Sequence, residues 1–219
     1  MKMYGVITGD IVDSTKINTK YRSNLIKAIE RVVADANKYV EGNRIKLEIF
    51  RGDSFQLLVP NAKKSLRVAI LLRLGLKKIG IVKGEKNMSC DARVSVGVGT
   101  IDYKKNNIST SDGEAYHNSG RAFDSLKKSS QLIIRTSWPN LNEEFDVECM
   151  LADIIIKRLT IKQAEITYLY LLKEINQKQI ADELGIKPQN VNKLLSYGGN
   201  PIEGFIKRYE KLIAEHELY

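Results

Sequence analysis

Apolar positions along this chain change spacing several times. The opening run MKMYGVIT predicts a strand over Met3–Thr8. Leu25, Ile29, Val32, Val33 and Ala36 then recur at the spacing of one helix face. RIKLEIF alternates in the manner of a strand and is followed by SFQLLV, and Arg51-Gly52-Asp53 between them signals a hairpin. A second helix is predicted over Ala62–Ile79. It is followed by a Gly/Lys-rich connector, a strand ARVSVGVGTI ending near Ile101, a polar loop, a helix over Glu114–Lys128 and a strand QLIIRT. From Asn142 onward the pattern is helical throughout. The first six elements run β-α-β-β-α-β, the ferredoxin-like split-βαβ order of an α+β fold. The expected division is an α+β domain over residues 1–140 and an all-helical domain over residues 141–219.

That topology gives the stretch GDIVDST, Gly9 to Thr15, a purpose. In a split-βαβ sheet the first and second strands run the same way. Asp10, ending the first strand, should therefore lie at the same edge as Asp53 in the hairpin. Carboxylates brought together repel unless a cation sits between them, and oxygen ligands without His or Cys favour Mg²⁺ or Mn²⁺ over zinc. The bland reading is that Asp10 caps the next helix and Asp53 makes the turn.

Composition narrows the class. With 43% hydrophobic and 28% charged residues, the chain is an ordinary globular one. The longest apolar runs, such as VAILLRLGL, are too short to span a bilayer and MKMYGV lacks a signal-peptide layout, so no membrane partner is expected. Cys90 and Cys149 are far apart and fit a core in a reducing cytoplasm, the expected location. The formal net charge of +9 suggests an anionic partner, yet the part from residue 150 is close to neutral. Much of the excess falls between Lys63 and Lys86, which reads equally as a solvated face or as an attractor for phosphates.

The motifs around the two aspartates resemble those of class III nucleotidyl cyclases. GDIVDST looks like the first metal motif of that family and RGDSF like its hairpin motif. RVSVGVGTI occupies the place of a later core strand, and DGEAYHNSGRAFD resembles the segment whose Asn and Arg stabilise the transition state. The likeness covers about residues 3–136. It implies Asp10 and Asp53 as metal ligands, with the Ile11 carbonyl assisting. It also implies Gly52 and Asn118 at a nucleoside triphosphate and Arg121 on its phosphates, with Mg or Mn as the metal. A site shared between two head-to-tail protomers, hence a homodimer, is implied as well. Two positions depart from the pattern: His117, with Asn118 one residue out of register, stands where the family has Asn, and as a candidate catalytic residue it can donate one hydrogen bond to a phosphate or, if protonated, offset its charge, and Ile49 stands where the family has a base-reading Lys. The hairpin also resembles that of diguanylate cyclases, but Arg51 and Ser54 break the match. The whole chain looks most like the SatD-like group, which joins a diverged cyclase-like domain to a helix-turn-helix.

The second motif is QKQIADELGIKPQNVNKLL, from Gln177. Ile180, Ala181 and Leu184 give a first short helix one apolar face, Gly185 supplies the turn, and Pro188 suits the first turn of the next helix, where Val191 and Leu194 point inward. Lys187, Gln189, Asn190, Asn192 and Lys193 are then exposed. Such side chains read base edges and phosphates in a major groove. The stretch resembles tetrahelical or sigma-like helix-turn-helix families, so DNA is an expected partner. A third helix, Ile161–Glu174, completes the core, and an amphipathic stripe over Ile202–Leu218 fits either the chain's own core or a second protomer.

Three functions follow from these observations. The favoured one is a DNA-binding regulator whose cyclase-like domain binds a nucleotide and a divalent metal. The second is an active cyclase or nucleotidyltransferase, and the third a helix-turn-helix protein with an inert cyclase-like dimerisation domain.

Overall fold

The structure, a computed structural model, describes residues 2–17, 19–42, 44–50, 53–79, 81–83, 86–102, 111–127 and 129–217. The strands are β1 (Tyr4–Ile11), β2 (Lys46–Phe50), β3 (Ser54–Val59), a small separate hairpin of β4 (Ile81–Lys83) and β5 (Lys86–Met88), β6 (Ala92–Gly99) and β7 (Leu132–Arg135). The helices are α1 (Thr19–Ala36), α2 (Ser65–Lys77), α3 (Glu114–Ser125), α4 (Pro139–Arg158), α5 (Ile161–Lys173), α6 (Gln177–Leu184), α7 (Pro188–Ser196) and α8 (Gly199–His216). The predicted order of elements is present, with the β4–β5 hairpin added inside the Gly/Lys-rich connector.

Five strands form one sheet in the order β2-β3-β1-β6-β7. β1 lies antiparallel to both β3 and β6, and β3 antiparallel to β2, so β1 and β2 run the same way. β7 joins parallel to β6 through α3. Side-chain alternation gives the two faces different partners. Ile7, Ile11, Phe55 and Leu57 face the main core with Leu25, Ile29 and Val32 of α1 and the apolar side of α2. On the opposite face α3 lies against β6 and β1, burying Ala115 with Val6 and Leu58. Its approach is close: a Cβ on Gly97 would stand 2.2 Å from the Ser119 nitrogen and 2.3 Å from the Ala115 oxygen.

The helices after residue 139 cover the sheet domain rather than standing apart from it. Leu141, Phe145 and Ile156 of α4, Tyr168 and Leu172 of α5, and Ile202, Phe205, Ile206, Tyr209 and Ile213 of α8 all belong to the core that includes the sheet. The α8 stripe is therefore filled by its own chain, so the pairing of two protomers through it is not what the structure shows. A second cluster joins Ile166 of α5 with Ile180 and Ala181 of α6 and Val191 and Leu195 of α7.

Because helices pack over it on one side and the sheet lies on the other, every residue of α2 is buried. This overturns the solvated-face reading of its basic run. Arg67 donates to Glu210 at 3.1 Å and to the Leu171 carbonyl at 2.9 Å. Arg73 is held by Asp91, Asp153 and Gln131. The Lys77 ammonium reaches the Lys157 carbonyl at 3.3 Å, and Lys64 pairs with Glu210 at 3.2 Å. These contacts fasten α2 to its neighbours: Arg67 to α5 and α8, Arg73 to α4 and to the residues before β6 and β7, and Lys77 to α4. The side chains of residues 81–88, the far end of the basic stretch, lie outside the described residues. Cys90 and Cys149 are buried, and burial pushes Cys90 up to about 11 and Cys149 well above its ordinary value. Buried thiols held above their ordinary range behave as core side chains rather than as reactive thiolates. Among the described residues no helix is long and apolar enough to cross a membrane.

Candidate functional site

β1 runs three residues beyond its predicted end, which makes Asp10 a paired strand residue with Ser54 on one side and Arg93 on the other. The Ile11 amide donates to the Asp53 carbonyl at 3.1 Å, so the end of β1 and the start of β3 meet at one edge. Both aspartates are half-buried there. Asp10 faces the same side of the sheet as α3. Arg93 donates to it through Nε at 2.9 Å and through Nη2 to the second oxygen, a bidentate pair. The Arg93 guanidinium also lies 5.5 Å from the centroid of the Phe123 ring on α3. Asp53 accepts from the Ser14 hydroxyl at 2.6 Å. The hydroxyl of GDIVDST is therefore a partner for the hairpin carboxylate, and the Asp13 backbone, at φ 54°, turns the chain to deliver it.

The donor set decides what the edge can hold. Both oxygens of Asp10 are engaged by a fixed cation, and among the described residues no three His, Cys, Asp or Glu side chains come together. As placed, Asp10 is paired with a guanidinium, and a divalent ion would have to displace Arg93 to reach it. Ile11 gives its amide to Asp53, and Gly52 lies outside the described residues.

Behind the pair, a polar seam runs between the sheet and α3. Thr8 Oγ1 accepts from Ser119 Oγ at 2.8 Å and from Gln56 Nε2 at 3.1 Å, and Ser95 Oγ donates to the Ser119 carbonyl at 2.9 Å. Asn118 donates to the Val98 carbonyl at 2.8 Å, holding α3 on β6. His117 is exposed on the first turn of α3 with Nε2 3.0 Å from Asp112 Oδ1. Arg121 is exposed and lines, with Asn118, Ser125, Arg135 and Thr136, a surface hollow of about 290 Å³ that includes neither aspartate. Within one chain, then, the backbone at Asp53 meets the end of the strand that carries Asp10, the two carboxylates have different partners, and Asn118 and Arg121 line one hollow.

Arg93 and Ser14 were not among the residues singled out in the sequence. Arg93 opens the strand RVSVGVGTI, and period-two alternation puts it on one face with Ser95. Only the pairing register, Asp10 opposite Arg93, reveals its partner.

In the helical part, the turn between α6 and α7 is built as the sequence predicts. Asn176 and Gln179 form a capping box at the start of α6, Gly185 closes the helix at φ 63°, and the Ile186 amide returns to the Ala181 carbonyl at 3.0 Å. Lys187, Gln189, Asn190, Asn192 and Lys193 are all exposed, and Asn192 accepts from Gln177 at 3.1 Å.

No protein family and no curated protein matches this sequence. Solved structures do resemble it. The active GGEEF domain of a diguanylate cyclase from Vibrio cholerae is 16% identical at a TM-score of 0.41, covering 61% of this chain and 83% of that one. The guanylyl cyclase domain of the RhoGC fusion protein from Blastocladiella emersonii is 18% identical at 0.42, covering 61% and 79%. The GGDEF domain of DgcB from Caulobacter crescentus, in complex with c-di-GMP, is 8% identical at 0.45, covering 62% and 78%. The chain is similar in outline to such domains, and its own strand order and helices make it a mixed α+β protein.

Proposed function

We propose that this chain is a DNA-binding regulator that reads a duplex with α7. The observation that carries the reading is the division of that helix: Val191 and Leu195 are buried against α5 and α6, while Lys187 at its N-cap and Gln189, Asn190, Asn192 and Lys193 along it are all exposed. Asn and Gln can each hydrogen-bond bidentately to adenine in the major groove, and flanking Lys residues meet guanine or phosphate. The surroundings of α7 are nearly neutral, so base contacts rather than bulk electrostatics carry the discrimination. Selection from random duplexes at moderate salt should return a motif. Asn190→Ala or Gln189→Ala should weaken its binding by about 1–3 kcal/mol while leaving non-specific binding unchanged. Equal retention of all duplexes would end this reading.

A second reading is favoured by the meeting of Asp10 and Asp53 at one edge: binding of a nucleoside triphosphate with Mg²⁺ or Mn²⁺, with or without turnover. It requires Arg93 to release Asp10. Mn²⁺ with ATP or GTP should then raise the melting temperature of the wild type, more so for Arg93→Ala, and not at all for Asp53→Ala; release of pyrophosphate would add catalysis. Identical ligand-induced shifts in all three proteins would leave the α+β part without a nucleotide at this edge.

A further inference from the structure

α4 is apolar on two sides. Its inner side, Leu141, Phe145, Cys149, Ala152 and Ile156, is buried in the core. Its outer side carries Val147, Met150, Leu151 and Ile154, between 42% and 57% exposed. These four, with Tyr39 and Tyr197, are the large exposed apolar side chains of the described residues, and their spacing places them in one stripe on one helix. Scattered exposed apolar residues need no explanation, but a contiguous stripe does.

The ends of the stripe say what covers it. Glu143 lies one turn before Val147 and Arg158 one turn after Ile154, both exposed and both on the same face by helical spacing. The arrangement is symmetric about the midpoint between Met150 and Leu151. An antiparallel copy of the same helix would set Val147 against Ile154, Met150 against Leu151, and Glu143 against Arg158. Acid meets base at both ends, whereas a parallel copy would set Glu143 against Glu143. A self-complementary patch of this kind is what a two-fold interface requires.

We infer that the outer face of α4 is a homodimer interface in which two copies of this chain pair their α4 helices antiparallel. This deepens the DNA-binding reading and rests on it for its purpose. A Cβ on Gly198 would stand 2.8 Å from Leu159 Cδ2 and 3.0 Å from Ile155 Cγ2, so the junction between α7 and α8 sits against the C-terminal end of α4. Pairing through α4 therefore brings two copies of α7 into a fixed two-fold relation, the arrangement a palindromic site reads. The interface is separate from the head-to-tail pairing implied by the cyclase resemblance, which would use the sheet domain.

Sedimentation equilibrium of the full chain across a concentration series tests it, without DNA. The wild type should reach dimer mass. Leu151→Glu, which places a charge in the seam from each copy, should raise the dissociation constant at least about 100-fold with no change in melting temperature at low concentration. Glu143→Arg alone and Arg158→Glu alone should each weaken the dimer, because each sets like charges together, and the double reversal should restore it. A wild type that stays monomeric, a dimer indifferent to Leu151→Glu, or a double reversal no better than the single ones would overturn the interface. A monomer that still selects a DNA motif sinks this inference alone, and an α4 dimer that selects none sinks the DNA reading alone.

Discussion

Replacing Arg73 with Met tests how the helical layer is fastened to the sheet. The guanidinium is 0% exposed. It donates through Nε and Nη2 to both oxygens of Asp91 at 3.0 and 2.9 Å, through Nη1 to Asp153 at 2.5 Å, and through Nη2 to Gln131 at 3.0 Å. Burial alone would lower its pKa, but Asp91 and then Asp153 outweigh burial and raise it. Met keeps much of the apolar stem and leaves two carboxylates, 11% and 7% exposed, without their cation. Stranding one partner of a buried pair costs about 3–5 kcal/mol. Lys157, 3.9 Å from Asp153, offsets part of the second charge, so a loss of about 4 kcal/mol at pH 7 is expected. For a domain of this size that corresponds to a drop in Tm of roughly 8–16 °C. Adding Asp91→Asn and Asp153→Asn should recover more than half of the loss at pH 7. Urea denaturation at pH 7 measures both. A loss below about 1 kcal/mol, or a triple variant no more stable than Arg73→Met, would refute the reasoning.

Other outcomes follow from single sites. Burial, then the neighbouring Glu144, push the Glu148 carboxyl up to about 7, against the opposing pull of Arg208. Its folded pKa lies above the unfolded value, so its contribution is full below about pH 4.5 and is lost as pH rises through about 7. Glu148→Gln should therefore stabilise at pH 8 by about 1 kcal/mol, after allowing for partial exposure, and do nothing at pH 4 in calorimetric scans. Gly97→Ala should cost at least about 3 kcal/mol in a denaturant titration, because the new methyl meets the backbone of α3 rather than a flexible side chain. Gly185→Ala should cost only about 1 kcal/mol and Gly185→Asn less, since the space around that position is open and only the left-handed backbone resists.

Much of the fold was legible because hydrophobic period and turn chemistry are local. The alternation of RIKLEIF, the helix-face spacing of Leu25 to Ala36 and the Gly185 turn each depend on residues a few positions apart, and each element formed. The strand order followed from chain connectivity, and it put Asp10 and Asp53 at one edge. The motif around α7 was legible for the same reason: which of its side chains are buried is decided by the spacing along that one helix.

The tertiary structure decided who partners whom. Nothing local tells that Arg93, over eighty residues after Asp10, sits opposite it and takes both its oxygens, because strand register is set by side-chain packing across the sheet. Nor does the run of basic residues on α2 announce that helices cover it on one side and the sheet on the other. A charge on a helix is solvated or buried according to what packs there, and Arg67 and Arg73 are buried because α4, α5 and α8 bring Asp153, the Leu171 carbonyl and Glu210 to meet them. Conversely, the outer face of α4, which by composition could have been core, is left uncovered by its own chain only through the way the layers stack. Local pattern determines which elements form; the long-range contacts determine the electrostatic environment of each charge, and with it whether a carboxylate is available to a metal or already bound to an arginine.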